Sequence, residues 1–330
     1  MKLLCLFFCA LGALQFTPIA VQAQWVLSNG PAGGSVVCFS VNDTNASQPM
    51  LYEGTYGGGV FRSSDNGTSW MPASAGLTST DVLSLVVSGN NLFAGTLRGG
   101  VFLSTSNGMS WRPINAGMTD TTINTLAISG SNLFAGTFHR GIFRSTDNGS
   151  SWTSVNAGLW NTTIRAIVAV GPVLFAGTAG GGVFLSTDNG NNWSALNSGL
   201  ADLNVQTLAV SGLNSPSPKL FAGTSGGVFV LSTDSKTNWS PASIGLTNTN
   251  INALAVVTKN ASQVLFAATR GDGVFLSTNN GSSWTAVSPG LTNTIVWSLM
   301  PSSPHASLPT LFAGTNTGGV WRRPLVEMIP

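Results

Sequence analysis

Charged, histidine and cysteine side chains are scarce in this sequence. Only 7% of the 330 residues are charged, and 13 basic and 11 acidic side chains leave a net charge of +2. An average soluble protein has about 25% charged residues, so the composition excludes a coiled coil, a charged tail and a disordered polyampholyte. It also gives no reason to expect a nucleic-acid partner. With two histidines and three cysteines in the chain, we predict no metal site and no cofactor.

The first 23 residues are predicted to be a signal peptide, followed by one domain over residues 24–330. Lys2 precedes an apolar run over residues 3–14, and Val21-Gln22-Ala23 places small residues where a signal peptidase cleaves. A run of about a dozen apolar residues is shorter than the ~20 that span a bilayer. We therefore expect an exported protein without a transmembrane anchor in the mature chain. Its location would be the periplasm, the extracellular space or the cell surface, or a lumen in a photosynthetic organism.

Glycine is abundant, at 40 residues without a collagen period, and it separates short apolar segments that repeat. The phrase Leu-Phe-Ala-Gly-Thr, counting two variants, occurs seven times at intervals of 41 to 46 residues. The copies begin at Leu51, Leu92, Leu133, Leu174, Leu220, Leu265 and Leu311. A period in the forties without helical periodicity is typical of propeller blades.

One repeat contains four extended segments, which we label a to d. In the third repeat they are Ile123–Ser129, Asn132–Thr137, Ile142–Ser145 and residues 151–156, separated by turn residues. Four antiparallel strands cannot bury both faces of a sheet alone, whereas seven sheets in a ring cover one another. The sequence therefore predicts an all-β, seven-bladed β-propeller of four-stranded antiparallel blades.

The two ends of the chain are predicted to meet in the last blade. A tryptophan opens strand d in six repeats, at Trp70, Trp111, Trp152, Trp193, Trp239 and Trp284. The seventh repeat stops after Trp321 without a strand d, and Trp25 supplies the missing tryptophan near the mature N-terminus. We therefore expect an N-terminal strand to complete this blade and close the ring.

A Ser-x-Asp-x-Gly-x-x-Trp motif lies between strands c and d. It is complete as Ser63, Asp65, Gly67 and Trp70, as Ser145, Asp147, Gly149 and Trp152, and as Ser186, Asp188, Gly190 and Trp193. The motif resembles the Asp-box (BNR) repeat of sialidases, the sortilin luminal domain, xyloglucan-active glycoside hydrolases and photosystem II assembly factors. The resemblance implies a structural hairpin without a catalytic role. Three motifs depart from the pattern, because Ser106 and Asn279 replace the aspartate and Lys236 replaces the glycine.

Strand alternation places the b–c and d–a loops on one face of the ring, which we call the top face. Most b–c loops are glycine, but a few positions on this face carry charged or aromatic side chains. These candidate binding residues are Arg98, Phe138, His139, Arg140, Trp160, Arg165, Arg270, Asp272 and Trp297. Those from Arg98 to Arg165 belong to consecutive blades 2 to 4. Guanidinium and aromatic groups together suit an acidic partner, and isolated solvated loop charges are the alternative interpretation.

The sequence offers no complete catalytic set. A glycosidase needs two facing carboxylates about 5 to 10 Å apart. The acids outside the repeated motif are Asp43, Glu53, Asp81, Asp120, Asp202, Asp272 and Glu327. A pair across the top face stays possible, although aspartate is also a favoured turn residue. Tyr52 and Tyr56 do not match a sialidase nucleophile. His139 and His305 fall on opposite faces, and Cys38 suits a small buried position.

These observations predict an exported, monomeric propeller that binds a partner and is not an enzyme. The chain most resembles single-propeller assembly factors, which implies a scaffold role for an exported or membrane protein complex. The expected partner is a protein or a glycan with acidic groups. The alternative is a carbohydrate-active propeller, a glycoside hydrolase or a lectin, in which Trp160 and Trp297 would be sugar platforms.

Overall fold

The protein is a ring of seven four-stranded antiparallel sheets, which confirms the predicted propeller. The computed structural model describes residues 24–30, 34–44, 49–212, 218–232, 238–259, 262–302 and 308–329. Each sheet has its strands in the order a, b, c, d. The predicted signal peptide, Lys236 and His305 lie outside the described residues.

Blades 1 to 6 each take four consecutive strands. Blade 1 comprises β2 (Ser35–Asn42), β3 (Met50–Tyr56), β4 (Gly59–Ser63) and β5 (Met71–Pro72). Blade 2 comprises β6 (Val82–Ser88), β7 (Asn91–Thr96), β8 (Gly100–Ser104) and β9 (Arg112–Pro113). Blade 3 comprises β10 (Ile123–Ser129), β11 (Asn132–Thr137), β12 (Ile142–Ser145) and β13 (Thr153–Ser154).

The second half of the ring repeats this arrangement. Blade 4 comprises β14 (Ile164–Val170), β15 (Val173–Thr178), β16 (Gly182–Ser186) and β17 (Ser194–Ala195). Blade 5 comprises β18 (Val205–Ser211), β19 (Lys219–Thr224), β20 (Gly227–Ser232) and β21 (Trp239–Pro241). Blade 6 comprises β22 (Ile251–Lys259), β23 (Ser262–Thr269), β24 (Val274–Ser277) and β25 (Thr285–Ala286). Blade 7 comprises β26 (Val296–Pro301), β27 (Thr310–Thr315), β28 (Val320–Pro324) and the N-terminal β1 (Val26–Leu27).

The outermost strands are shorter than the sequence predicted. In blade 3, strand d spans Thr153–Ser154 and not residues 151–156. Side chains explain the difference, because the Ser151 N–H donates to the Asp147 carboxylate and the Ile142 N–H donates to the Asn156 side chain. The Ser151 N–H and the Asn156 side chain at the two ends of the expected segment therefore take part in other contacts, and the ladder is cut to two residue pairs.

The Leu-Phe-Ala-Gly-Thr phrase forms strand b, and its alternation explains how neighbouring blades pack. In β7, Ala94 packs in a cluster with Tyr52 of blade 1, whereas Phe93 packs with Ile123 of blade 3. Glycine follows because the blades approach closely: a Cβ at Gly95 would lie 2.6 Å from Cγ2 of Ile123. The phrase therefore sets the spacing between blades, and the core consists of apolar clusters at the blade boundaries.

The N-terminal strand closes the ring. β1 pairs with β28 through Val26–Arg322 and Leu27–Trp321, and it gives blade 7 its fourth strand. Trp25 is 3% exposed and packs into the core cluster at the boundary of blades 6 and 7. The predicted closure is therefore confirmed.

The C-terminal residues add a second anchor that the sequence did not reveal. A 3₁₀ turn over Leu325–Glu327 follows β28. Leu325, Met328 and Ile329 are buried in the same core cluster as Trp25. The Lys259 Nζ of blade 6 donates a hydrogen bond to the Ile329 carbonyl oxygen at 2.9 Å. Both ends of the described chain therefore pack on blades 6 and 7.

The boundary between blades 7 and 1 lacks a hydrogen bond that the other blade boundaries have. The segment from Trp25 to Val36 is one residue shorter than the matching segment from Trp70 to Val82. In the other repeats, the indole Nε1 donates to a backbone carbonyl of the adjacent blade, as at Trp25, Trp111, Trp152, Trp193, Trp239 and Trp284. The Trp70 Nε1 and the Ser28 Oγ are instead buried without a hydrogen-bond partner among the described residues.

Glu53 adds a buried carboxyl group beside this boundary. It stands where the other six blades have alanine, and its cross-strand neighbours are Phe39 and Phe61. Because Tyr52 packs against blade 2, the adjacent Glu53 faces blade 7. The side chain is fully buried, and within the described chain neither carboxyl oxygen has a hydrogen-bond partner. Burial raises the pKa of Glu53 to about 8, so the carboxyl group is protonated at neutral pH.

Candidate functional site

The top face is built from b–c and d–a loops that are joined by backbone hydrogen bonds. The Leu97 N–H donates to the Asp81 carbonyl oxygen at 2.9 Å, and the Phe138 N–H donates to the Thr122 carbonyl oxygen at 3.0 Å. Each bond links the residue after strand b to the residue before strand a of the same blade. The two kinds of loop therefore lie on one face, as strand alternation predicted.

Arg98 occupies a strained backbone position in the b–c loop of blade 2. Its φ is +66°, and the matching residues of blades 1 and 4 are Gly57 at +98° and Gly180 at +88°. A left-handed conformation costs a non-glycine residue about 1–2 kcal/mol. Blade 2 therefore keeps an arginine where blades 1 and 4 have glycine, and Thr317 of blade 7 takes the same conformation at a φ of +55°.

His139 and Phe138 are held above blade 3 by a buried carboxylate. Asp120, whose side chain is 8% exposed, accepts hydrogen bonds from the backbone N–H groups of Thr122 and His139 at 2.9 and 2.8 Å. The His139 Nδ1 lies 3.7 Å from the same carboxylate. Phe138 is 42% exposed, and its ring meets the His139 ring edge-on at 4.6 Å. The loop is therefore fixed while its aromatic side chains stay accessible.

Trp160 is an exposed aromatic group in the next d–a loop. Its side chain is 62% exposed, and its ring meets the Phe184 ring edge-to-face at 5.6 Å between ring centroids. The Thr162 Oγ1 of this loop donates to the His139 carbonyl oxygen at 3.0 Å. The structure therefore joins the Trp160 loop to the His139 loop, and most of the indole remains open to solvent.

Arg165 points towards blade 5 rather than towards the loops of blades 2 and 3. It is the second residue of β14, where the ladder to β15 shifts register between Ile164 and Ala166. Its Nη1 donates to the Gln206 Oε1 at 2.8 Å. Arg165 therefore belongs to the inner rim of the top face, and the sequence did not identify Gln206 as its partner.

Arg270 and Trp297 meet across the boundary of blades 6 and 7. The guanidinium carbon lies 5.5 Å from the indole centroid, which is within cation–π range. The Trp297 Nε1 donates to the Asn316 Oδ1 at 3.4 Å. Asp272, in the same loop as Arg270, accepts a hydrogen bond from the Thr247 Oγ1. These candidates form a second group on the top face, separate from the loops of blades 2 and 3.

Asp120, Asp202 and Asp272 of the top face are engaged in loop contacts. Asp120 and Asp202 accept backbone N–H bonds from residues two positions later, Thr122 and Asn204, at 2.9 Å each. Such contacts stabilise turns, and they occupy oxygens that a general acid or base would need. The turn role of these aspartates is therefore visible in the structure.

The remaining nucleophile candidates have raised pKa values. Tyr52 is fully buried, and burial raises its pKa to about 12. Burial also raises the pKa of the Cys38 thiol, whose Sγ lies 3.7 Å from the Val82 carbonyl oxygen. Neither group ionises readily at neutral pH. Over the described ranges, His, Cys, Asp and Glu side chains form no cluster of three that could hold a metal ion.

The polar side chains of the c–d hairpins form hydrogen bonds within their own hairpin. In blade 3, the Ser145 Oγ accepts from the Gly149 N–H at 2.8 Å and donates to Asp147 at 2.7 Å. The Asp147 carboxylate accepts from the Ser151 Oγ and N–H at 2.6 and 2.9 Å. The Ser151 hydroxyl, the Ser151 N–H and Ser145 together lower the pKa of Asp147 to about 2. The hydrogen bonds of the Asp147 carboxylate therefore stabilise its own hairpin.

The altered motifs keep most of this geometry. Asn279 accepts from the Ser283 N–H at 2.9 Å and also donates to the Ser283 Oγ at 2.8 Å. Ser106 accepts from the Ser110 N–H at 3.0 Å. A short polar side chain therefore still fixes the hairpin, although serine and asparagine bring no charge.

Comparison with known proteins supports the fold alone. No protein-family model and no curated protein matches the chain. Among solved structures, the extracellular domain of the one-component system BT4673 from B. thetaiotaomicron has a TM-score of 0.72 at 20% identity. The match covers 92% of this chain and 40% of that chain, so this protein spans less than half the length of that extracellular domain.

Two further similar structures are a peptide-bound protein and a glycoside hydrolase. YCF48 bound to a D1 peptide has a TM-score of 0.69 at 14% identity, with 91% of this chain and 94% of that chain covered. A GH74 xyloglucanase from Xanthomonas campestris has a TM-score of 0.68 at 18% identity, with 92% of this chain and 54% of that chain covered.

No helix in the described part of the chain is long and apolar enough to span a membrane.

Proposed function

We propose that the protein is an exported, non-catalytic propeller that binds an acidic partner through the top face of blades 2 to 4. The observation that carries the proposal is Arg98, which stays in a left-handed conformation where blades 1 and 4 have glycine. Backbone strain that the fold does not need is typical of functional positions. The exposed Phe138 and Trp160 lie in adjacent, mutually bonded loops.

Three further points support this proposal. The c–d hairpins have the inward hydrogen bonds expected of Asp-box repeats, so they account for their aspartates without catalysis. YCF48, a propeller of nearly the same extent, was solved with a bound peptide. The BT4673 neighbour is an extracellular domain, which agrees with export directed by residues 1–23. A scaffold for an exported or membrane protein complex, acting as a monomer, fits these observations.

The test is titration calorimetry with two acidic probes, poly-L-glutamate and polygalacturonate. The variant carries Arg98→Ala, Arg140→Ala and Arg165→Ala. A charge-matched control carries Arg62→Ala, Arg112→Ala and Arg322→Ala, which lie outside the top-face loops. We expect the first variant to bind about tenfold or more weakly than the wild type and the control, and added salt to weaken wild-type binding. Undiminished binding by the folded first variant would contradict the proposal.

A carbohydrate-active propeller is the second candidate. Trp160 is 62% exposed, as a sugar platform would be, and GH74 enzymes share the fold. Incubation with xyloglucan separates the two, because a hydrolase releases reducing ends and a binding protein does not. Release of reducing ends that is lost in an Asp202→Asn or Asp272→Asn variant would contradict the non-catalytic assignment.

A further inference from the structure

Each blade contributes two side chains to the upper end of the central channel. The first is the strand a residue at which a register shift interrupts the a–b ladder. It is the second residue of the strand in blades 2 to 7 and the third, Val37, in blade 1. The second is the residue directly after the threonine that ends the repeated phrase on strand b. We call these fourteen positions the mouth residues.

Contacts at three blade boundaries show that mouth residues of neighbouring blades lie side by side. Arg165 of blade 4 bonds Gln206 of blade 5 at 2.8 Å. Arg270 of blade 6 covers the Trp297 ring of blade 7 at 5.5 Å. The Ser35 Oγ of blade 1 donates to the Asn316 Oδ1 of blade 7 at 2.8 Å. The mouth residues of blades 4 and 5 and of blades 6 and 7 therefore touch directly, and those of blades 7 and 1 are linked through Ser35.

The rim is divided into two chemically different halves. The half from blades 1 to 3 is mostly apolar and consists of Val37, Tyr56, Leu83, Leu97 and Phe138, with Asn124 at its border. Tyr56 and Phe138 are 51% and 42% exposed. The half from blades 4 to 7 is mostly polar and includes Arg165, Gln206, Ser225, Asn252, Arg270 and Asn316. Apolar side chains thus face water on one side of the channel and amide and guanidinium groups on the other.

The charge of the rim has one sign. Among the fourteen mouth residues, two are arginines, Arg165 and Arg270, and none is acidic. Both guanidiniums have neutral neighbours on the rim, the amide of Gln206 and the ring of Trp297. Their charge is therefore available to an anionic group of a ligand.

We infer that the channel mouth binds a peptide segment in which an apolar side chain lies next to an acidic residue. The apolar side chain would pack on Leu83, Leu97 and Phe138, and the carboxylate would meet Arg270. This inference rests on the proposed function, because it concerns the same face, and it names the partner as a protein. An acidic glycan would bind the arginines, but it would gain little binding energy from contact with the aliphatic side chains of Val37 and Leu83.

The test is selection of a phage-displayed random heptapeptide library on the purified protein. Two variants take residues that already occupy the same rim position in other blades, which protects the fold. Leu83→Asn copies Asn124 and Asn252, and Arg270→Ser copies Ser225. The matched control is Arg62→Leu, which copies Leu103 and Leu185 of strand c and is not a mouth residue.

We expect the wild type to enrich peptides with an aromatic or aliphatic residue beside Asp or Glu. Leu83→Asn and Arg270→Ser should each weaken binding of a selected peptide about tenfold, whereas Arg62→Leu should not. The inference would be overturned if the selected peptides shared no consensus sequence, or if both mouth variants bound a selected peptide with the affinity of the wild type. A selected acidic peptide could also bind both mouth variants normally and fail to bind the variant with Arg98→Ala, Arg140→Ala and Arg165→Ala. That result would overturn this inference and still support the proposed function.

Discussion

The Trp25 indole Nε1 donates a hydrogen bond to the Val287 carbonyl oxygen at 2.7 Å, across 262 positions of the chain. Trp111 makes the same contact with Ala73, 38 positions away, also at 2.7 Å. The closing strand therefore reuses the contact that joins ordinary neighbouring blades. No covalent bond is needed to hold the ring, because the same hydrogen bond and the same buried indole recur.

Removal of the Trp25 side chain should destabilise the ring strongly. Trp25 is 3% exposed, and truncation of a buried tryptophan to alanine costs about 3–5 kcal/mol. Trp25→Ala should lower the free energy of unfolding by this amount in urea titrations, and deletion of residues 24–30 by more. Trp25→Phe is the control that keeps apolar volume and loses the N–H donor. A deletion variant that melts within about two degrees of the wild type would show that closure does not depend on β1.

Glu53 should make the fold less stable as the pH rises. Its pKa is about 8 in the folded protein and about 4.3 in an unfolded chain, so the folded state binds the proton more tightly. The free energy of unfolding should therefore decrease between about pH 4.3 and pH 8, by up to about 1.4 kcal/mol per pH unit. It should then become constant.

Two variants isolate this effect. Glu53→Gln keeps the shape and removes the titration, and Glu53→Ala restores the residue of the other six blades. Both should flatten the pH profile of chemical unfolding, and Glu53→Ala should raise stability at pH 8. An unchanged slope in both variants would mean that another group causes the pH dependence.

Loss of the Asp147 carboxylate should matter most at neutral pH. The folded pKa is lowered to about 2 from about 3.9 in an unfolded chain. The stabilisation is therefore fully present above about pH 4 and is lost as the pH falls through 2. Asp147→Ala should lower the melting temperature at pH 7 and have a smaller effect near pH 2. Binding of acidic probes should not change, and a variant with normal melting but lost binding would contradict a structural role.

Arg98→Gly should separate stability from binding. Glycine adopts a φ of +66° without the cost that arginine bears, about 1–2 kcal/mol, although it gains about 0.5–1 kcal/mol of freedom in the unfolded chain. We expect melting temperature to stay equal or rise, while binding of poly-L-glutamate weakens. His139→Gly is the matched control, because His139 holds the same loop position without a positive φ and should gain nothing. A clear loss of stability in Arg98→Gly would show that the arginine serves the fold.

Local patterns were enough to predict the number of blades, the order of strands and the closing strand. Each depends on a short phrase, such as Leu-Phe-Ala-Gly-Thr or the tryptophan before strand d, whose repetition fixes the period. The loop positions of Arg98, Trp160 and Arg270 on the top face followed from the same alternation. The sequence by itself therefore determined the architecture.

Only the tertiary structure decided how these residues act. The positive φ of Arg98 is a backbone torsion that the residue type does not encode. The Arg165–Gln206 bond and the Arg270–Trp297 contact join different repeats, so sequence spacing does not reveal them. Glu53 looked like one acid among several, and its missing hydrogen bonds became visible once blades 1 and 7 were packed together. Such properties depend on distances between repeats, which a repeated sequence leaves open.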